Sequence, residues 1–279
     1  MQYLMAIDAG TGSVRAVIFD TDGNQISVAQ QEWTHIEEEG VPNSMTFDTA
    51  KNWEITVACI KESIKLSGIR AEEIVALSAT SMREGIVLYD AEGRELWAVA
   101  NVDARAADEV KYLKESFDGI EEEFYALSGQ TFALGALPRI MWLKNNKLEV
   151  YEKVSSISMI GDWILAKLSG VIATDPSNGG TTGIFSLKER DWVYSMASKI
   201  GIKDDKIWHF VTGDKEDISK MAKNYMILEY ADSTVAGGFE HGGQFVLIDK
   251  KQHVRGYYDG TNESEVDKLI EDIEVLMME

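Results

Sequence analysis

The sequence predicts an α/β protein. Three observations carry this: β-rich segments arrive in hairpins divided by turn residues, amphipathic helices follow them within one long unit, and 45% hydrophobic with 27% charged residues over 279 positions supports a substantial core. Only 3 prolines and no low-complexity tract argue against long disordered stretches.

Leu4 to Asp8 is an apolar run that ends in a carboxylate, and Ser13 to Phe19 is β-rich. Asp20-Thr21-Asp22-Gly23 is turn chemistry, with Gln25 to Gln31 as a third strand. Asp48 is placed to cap a helix running to about Ser67, with Trp53, Val57, Ile60 and Ile64 on one face. Ile74 to Ala79 reads as a second buried strand. Gly85 to Tyr89 and Glu95 to Val99 read as a hairpin around Asp90-Ala91-Glu92-Gly93. Helices are expected near Arg105 to Ser116 and from Pro138, well placed at a helix start, to Asn145. Ser156 to Ile160 follows as a strand, and Asp162 to Leu168 and Val193 to Ile200 as helices.

The character changes near Gly201 to Lys206. Beyond it come a strand at Ile207 to Val211, a helix at Asp214 to Tyr225 and a loop at Gly237-Gly238. Phe245 to Asp249 and Val254 to Tyr258 form a hairpin around Lys250-Lys251-Gln252. Val266, Leu269, Ile270, Ile273, Leu276 and Met277 make an apolar stripe on a last helix, with Asn262 and Glu265 as its cap. No repeat relates the two parts.

A formal net charge of −20 repels phosphate backbones and anionic membranes, which disfavours nucleic-acid and membrane partners. Short acidic runs such as Glu37-Glu38-Glu39 and Glu121-Glu122-Glu123 read as solvated surface. The single cysteine, Cys59, excludes an internal disulfide and sits in an apolar context, which suits a reducing compartment. Nothing resembles a membrane span or a signal peptide, so a cytoplasmic protein is expected.

The strongest local signal is Asp8-Ala9-Gly10-Thr11-Gly12-Ser13, set between two strands. A strand ending in Asp puts a carboxylate where Mg²⁺ or its waters can be held. Gly10 and Gly12 let the backbone approach a phosphate, Thr11 and Ser13 add hydroxyls, and Arg15 is a cation for a transferring phosphoryl group. The same six residues also read as a plain glycine-rich hairpin turn. Ser81-Met82-Arg83-Glu84-Gly85 follows a strand, where Arg can donate to and Glu accept from the hydroxyls of a polyol; a surface ion pair is the competing reading. Asn101, Asp103 and Arg105 form a second polar set, and Thr174 to Gly183 reads as a long polar loop.

Taken together and in order, these segments resemble the FGGY carbohydrate kinases over residues 1 to 202. The resemblance is carried by Leu4-Met5-Ala6-Ile7-Asp8-Ala9-Gly10-Thr11-Gly12-Ser13, Ser81-Met82-Arg83-Glu84-Gly85-Ile86-Val87-Leu88-Tyr89, Ala100-Asn101-Val102-Asp103-Ala104-Arg105-Ala106-Ala107, and Asp175-Pro176-Ser177-Asn178 with Gly180-Thr181-Thr182-Gly183. Within the family it is strongest to members that phosphorylate an open-chain signal derived from dihydroxypentanedione. It implies an actin-like, ribonuclease H-like ATPase domain that uses Mg-ATP. Asp8, holding Mg²⁺ through water, would belong to the phosphate site with Gly10, Thr11, Gly12, Ser13 and Arg15. Arg83, Glu84, Asp103 and Arg105 would bind the sugar or polyol. Family members carry a second actin-like domain with the general-base Asp and most of the adenosine pocket. No such base is found in residues 203 to 279, so no catalytic residue is assigned.

Residues 203 to 279 resemble something else. Trp208 to Lys215, Phe245 to Asp249 and Gly256-Tyr257-Tyr258-Asp259-Gly260 are similar to the C-terminal half of the SCO/SenC copper chaperones, implying a partial thioredoxin-like segment. His241 falls where that family places a copper-binding histidine, but its two-cysteine motif is absent. The unpaired sheet edge of such a half-fold must be covered, either by packing of the tail on the kinase-like part or by pairing between copies. Three functions are therefore set against one another: an FGGY sugar kinase of low activity, a non-catalytic module that binds sugar or phosphate or a partner through the tail, and copper handling through the tail.

Overall fold

The computed structural model describes residues 2–188, 191–202, 229–231, 239–241, 244–248, 254–259 and 262–277. The expected strand Ile207 to Val211, the helix Asp214 to Tyr225, the segment Trp208 to Lys215, the Gly237-Gly238 loop and the Lys250 to Gln252 turn lie outside these residues. The chain divides into two compact units, Met1–Val211 and Thr212–Glu279.

The first unit opens with a meander, β1 (Tyr3–Ala9), β2 (Ser13–Asp20) and β3 (Gln25–Glu32). Asp20 builds the second turn by accepting from the amides of Asp22 and Asn24, at 3.0 and 2.8 Å. Helix α1 (Thr49–Ser67) then crosses over and delivers β4 (Ile74–Ser81) parallel to β1, giving the sheet order β3-β2-β1-β4. Asp48 caps α1 by accepting from the Lys51 amide at 3.0 Å, as the sequence predicts.

The buried face of α1 is not the predicted one. Asn52, Thr56, Cys59 and Ser63 are its buried residues, while Trp53, Ile60 and Ile64 pack at the flanks. Small residues let the helix settle close to the strands: Ser27 Oγ donates to the Ser63 carbonyl at 2.8 Å and Cys59 Sγ to the Ala29 carbonyl at 3.0 Å. β4 also departs from expectation. It is mostly exposed, because among the described strands it pairs only with β1 and lies at the sheet edge.

A second sheet, β6-β5-β7, is wholly antiparallel and joins β5 (Ile86–Tyr89), β6 (Glu95–Val99) and β7 (Ser156–Met159). Helices α2 (Ala107–Ser116), α3 (Ile120–Ser128), α4 (Ala136–Asn146) and α5 (Leu148–Tyr151) lie between β6 and β7. α3 is unannounced by apolar periodicity; its first turn is the acidic run Glu121 to Glu123, charge that suits a helix N-terminus. α4 starts two residues before Pro138, which sits in its first turn. α6 (Ile160–Ser169) follows β7. The predicted polar loop contains a short helix α7 (Pro176–Gly180), because Asp175 accepts from the amides of Ser177 and Asn178 at 2.7 and 3.0 Å. A strand pair, β8 (Phe185–Ser186) with β9 (Asp191–Trp192), and α8 (Ser195–Lys199) complete the described first unit.

Two cores result. One lies between the inner face of the first sheet, with Met5, Ile7, Val14 and Ile18, and the pair α1 and α6; Phe47 and Trp163 meet there edge to face at 5.3 Å. The other joins the second sheet to α2, α3 and α4.

In the second unit, β10 (Glu229–Ala231) pairs antiparallel with β11 (Phe239–His241), and β12 (Gln244–Ile248) with β13 (Val254–Asp259). The last helix, Glu263–Met277, starts at Asn262, whose side chain accepts from the Ser264 amide at 3.1 Å, and is tied to β13 by Tyr258 Oη donating to Asp272 at 2.7 Å.

Gly183 and Gly119 separate two costs. Both have left-handed φ, +80° and +72°, but a Cβ on Gly183 would stand 1.9 Å from the Phe124 ring, whereas Gly119 faces open space. Gly119→Ala is expected to cost about 1 kcal/mol and Gly183→Ala more than about 3 kcal/mol in chemical denaturation. Equal losses would show that the Phe124 contact is not tight.

Candidate functional site

The β1–β2 turn carries Gly10, Thr11 and Gly12. Its carbonyls are drawn to one side: Trp33 Nε1 donates to the Gly10 and Thr11 oxygens at 3.0 and 3.1 Å, the Trp33 amide to Gly12 at 3.1 Å, and His35 Nε2 to Thr11 at 2.7 Å. In trans peptides the amide following each carbonyl points the other way, so the N–H groups of Thr11 and Gly12 face away from Trp33 and His35. Neither glycine has positive φ. Gly12 has no atom within 4 Å of where a Cβ would stand, so glycine leaves that position bare.

Asp8 closes β1 opposite Arg15 on β2 and Thr80 on β4. Arg15 donates to Asp8 Oδ2 at 2.5 Å, with side chains 51% and 35% exposed. A pair that open contributes at most about 1 kcal/mol to stability.

Past β4 the chain enters Met82-Arg83-Glu84-Gly85. The Met82 amide donates to the Ala9 carbonyl at 2.8 Å, which sets this segment beside the phosphate-loop candidate. Glu84 has φ of +66°. For a non-glycine residue that costs on the order of 1 to 3 kcal/mol and persists only where the surroundings enforce it. Gly85 is enforced by packing, since a Cβ there would lie 2.9 Å from Ile160. Arg83 donates to the Ser177 carbonyl at 3.0 Å and to Ser177 Oγ at 3.3 Å, so it rests on the start of α7.

Asp103 and Arg105 are placed differently. Their side chains are 0% exposed. Arg105 bonds Asp103, Glu38 and Thr46 Oγ1, each at 2.9 Å, and its guanidinium lies 5.2 and 4.9 Å from the ring centroids of Trp97 and Trp142. Asp103 also accepts from the Met45 amide at 2.6 Å. Burial pushes the Glu38 carboxyl up, but Lys147 and Arg105 outweigh it and hold it below the usual range. Both predicted residues are thus saturated inside the fold and form a wall behind the 101–105 segment.

Two groups missed in the sequence organise these pieces. Arg139, 1% exposed on α4, donates to three backbone carbonyls: Glu84, Asn101 at 2.8 Å and Asp103 at 2.8 Å. Asp162, 3% exposed on α6, accepts from Thr174 Oγ1 at 2.7 Å, Asn178 Nδ2 at 3.0 Å and the Met159 amide at 3.1 Å, pinning both ends of the 174–178 stretch. The available signal was the same for each: a lone charge in an apolar helical run, Leu137-Pro138-Arg139-Ile140 and Ile160-Gly161-Asp162-Trp163. Trp33 and His35 carried no comparable signal.

Residues 3–226 match the FGGY family of carbohydrate kinases, N-terminal domain. The chain belongs to that family. Among curated FGGY relatives, autoinducer-2 kinase from Salmonella typhimurium is 53% identical over 204 residues, 73% of this chain and 38% of the relative. The chain thus spans well under half of that relative's length. The FGGY fold is equally plain in solved structures. Ligand-bound xylulose kinase from Lactobacillus acidophilus superposes with TM-score 0.67 at 20% identity, covering 80% of this chain and 46% of that one. Gluconate kinase from the same organism gives 0.66 at 21%, covering 74% and 41%. The first unit therefore has the actin-like ATPase fold. A second match, to SCO1/SenC, spans residues 188–278 and overlaps the FGGY match over 188–226.

For the SCO1/SenC part, His241 ends β11 opposite Glu229, and His209 and His253 lie outside the described residues. Among the described residues no group of three His, Cys, Asp or Glu gathers to hold a metal. Cys59 belongs to the first unit, where burial pushes its thiol pKa up.

Asp162 generates a pH prediction. Burial pushes its carboxyl up to about 6, against the hydrogen bonds from Thr174, Met159 and Asn178. A folded-state pKa above the ordinary value near 4 stabilises the fold at low pH, and that contribution is lost as pH rises through about 6. Asp162→Asn is therefore expected to gain stability relative to the parent between pH 4 and 7, by on the order of 2 kcal/mol. A pH-independent difference in melting temperature would refute the assignment.

Proposed function

We propose that the first unit is the sugar- and phosphate-binding half of an ATP-dependent FGGY kinase acting on open-chain dihydroxypentanedione, the autoinducer-2 precursor. The observation that carries this is the 53% identity to autoinducer-2 kinase across 204 residues; the family match over residues 3–226 includes both the 8–15 and the 83–105 segments. In this reading the bare turn at Gly10 to Ser13 receives phosphate, with the Thr11 and Gly12 amides as donors. Mg²⁺ would neutralise phosphate charge as ATP reacts. Asp8 suits it, being a partly exposed carboxylate at a strand end for an ion that retains much of its water. Arg15 stands beside it to meet charge on the transferring group. Arg83 and Glu84 contact the acceptor's hydroxyls, while Asp103 and Arg105 hold the wall behind them.

Phosphoryl transfer needs a base for the acceptor hydroxyl. Asp8 is engaged by Arg15, and Asp103 is saturated. With no base assigned among the described residues, the chain should bind sugar but turn it over slowly, since loss of a general base costs about 10² to 10⁴ in rate. We place the junction between the FGGY part and the SCO/SenC-like part at residues 202 and 203, inside the overlap of the two matches. Pairing between copies through the second unit belongs to this proposal, as does a cytoplasmic location with access to ATP. Among the described residues no helix is long and apolar enough to cross a membrane. His241 alone supplies one imidazole, a poor copper site.

The test is ATP-dependent phosphorylation of dihydroxypentanedione and a panel of ketoses and polyols, with Asp8→Ala beside the parent. Slow turnover that disappears in Asp8→Ala is expected. Sugar binding without any turnover would favour a non-catalytic binding module. Absence of binding to every compound would sink the kinase reading.

A further inference from the structure

We propose that Arg139 is a positioning residue that fixes the acceptor-binding segment against the phosphate-binding turn. This rests on the kinase reading for what the segments bind, but not for how they are held. Arg139 is 1% exposed, and its guanidinium is spent on backbone rather than on carboxylates. Nη1 donates to the Glu84 carbonyl, and Nη2 to the carbonyls of Asn101 and Asp103, both at 2.8 Å. Those carbonyls come from two segments that follow different strands, β4 and β6. The connection runs on to a third, because Thr11 Oγ1 donates to Asn101 Oδ1 at 3.2 Å. One buried cation thus joins Glu84, the 101–103 stretch and, through Asn101, the turn at Thr11.

Three features mark this as more than packing. Glu84 sits at φ +66°, and the Arg139 bond falls on the carbonyl of that same residue. Arg139 Nε is buried without a hydrogen-bond partner among the described residues, so the group is held despite an unmet donor. A planar fork reaching carbonyls in two segments is a task lysine cannot reproduce, since its charge is a single point. The angle at which Glu84 meets an acceptor hydroxyl, relative to phosphate at Thr11, follows from where this fork is anchored.

The test has a ligand-free arm and a ligand arm, both on the full chain. In Arg139→Lys, amide hydrogen exchange over residues 83–86 and 100–105 should quicken at least tenfold, while β1 and β2 exchange as in the parent. Unchanged exchange in those two segments overturns the proposal. So does a uniform rise across the chain, which would mean general destabilisation. If Arg139→Lys does not fold, Arg139→Met removes the buried charge with the fork and should show the same local pattern. In the ligand arm, calorimetric titration with dihydroxypentanedione should weaken at least tenfold in Arg139→Lys. The pair Glu84→Ala with Arg139→Lys should lose less binding than the two separate losses combined, because part of what Arg139 does runs through Glu84. Additive losses overturn that route. A parent that binds no dihydroxypentanedione defeats the proposed substrate, and the exchange arm still decides the role of Arg139.

Discussion

The parallel pairing of β1 with β4 is the constraint on which the candidate site depends. A meander alone would leave Asp8 and the Gly10–Ser13 turn at the end of an isolated hairpin. The crossover through α1 brings β4 beside β1 in register, Asp8 against Thr80, so that both strands release their next residues at one end of the sheet. Such a connection needs a helix that lies flat on the strands. Here the small face of Asn52, Thr56, Cys59 and Ser63 permits the close approach, and the sulfhydryl and hydroxyl groups find carbonyls to meet. Proximity of the two segments proposed to bind phosphate and sugar is thus a product of topology, reached before any ligand is present.

Much of this frame is legible in the sequence because it rests on local chemistry. Turn residues at Asp20 to Gly23, the Asp48 cap and the strands from β1 to β7 are written in propensity and spacing. What is not legible depends on tertiary context. The buried stripe of α1 was displaced because burial followed side-chain size, not hydrophobicity. β4 reads as a core strand by composition, yet its position at an edge leaves Val75 and Leu77 exposed at 52% and 43%. α3 and α7 are specified mainly by their ends, Gly119, Gly129 and Asp175, rather than by period.

The site shows the same division. Asp8, Arg83 and Glu84 were singled out because motifs announce them. Asp103 and Arg105 were singled out too, but sequence cannot tell a charge that faces a ligand from one that lies against the stacked rings of Trp97 and Trp142. Arg139 and Asp162 are buried charges: the first meets main-chain carbonyls 36 to 55 residues away, the second side chains 12 and 16 residues away, so no spacing rule finds them. Burying such ions is costly unless their hydrogen bonds are supplied. For Arg139 all three come from main-chain carbonyls, and for Asp162 from one amide and the side chains of Thr174 and Asn178, so neither ion is paired with another ion.

The left-handed backbone at Glu84 has a consequence for how this chain would evolve in the laboratory. Stability and the proposed binding role make opposite demands on that position: glycine would relieve the backbone but carries no side-chain acceptor for a hydroxyl. Selection for heat tolerance alone would therefore draw residue 84 towards glycine and quietly erase the proposed ligand contact. Retention of the acid under such selection would signal that binding was itself being rewarded.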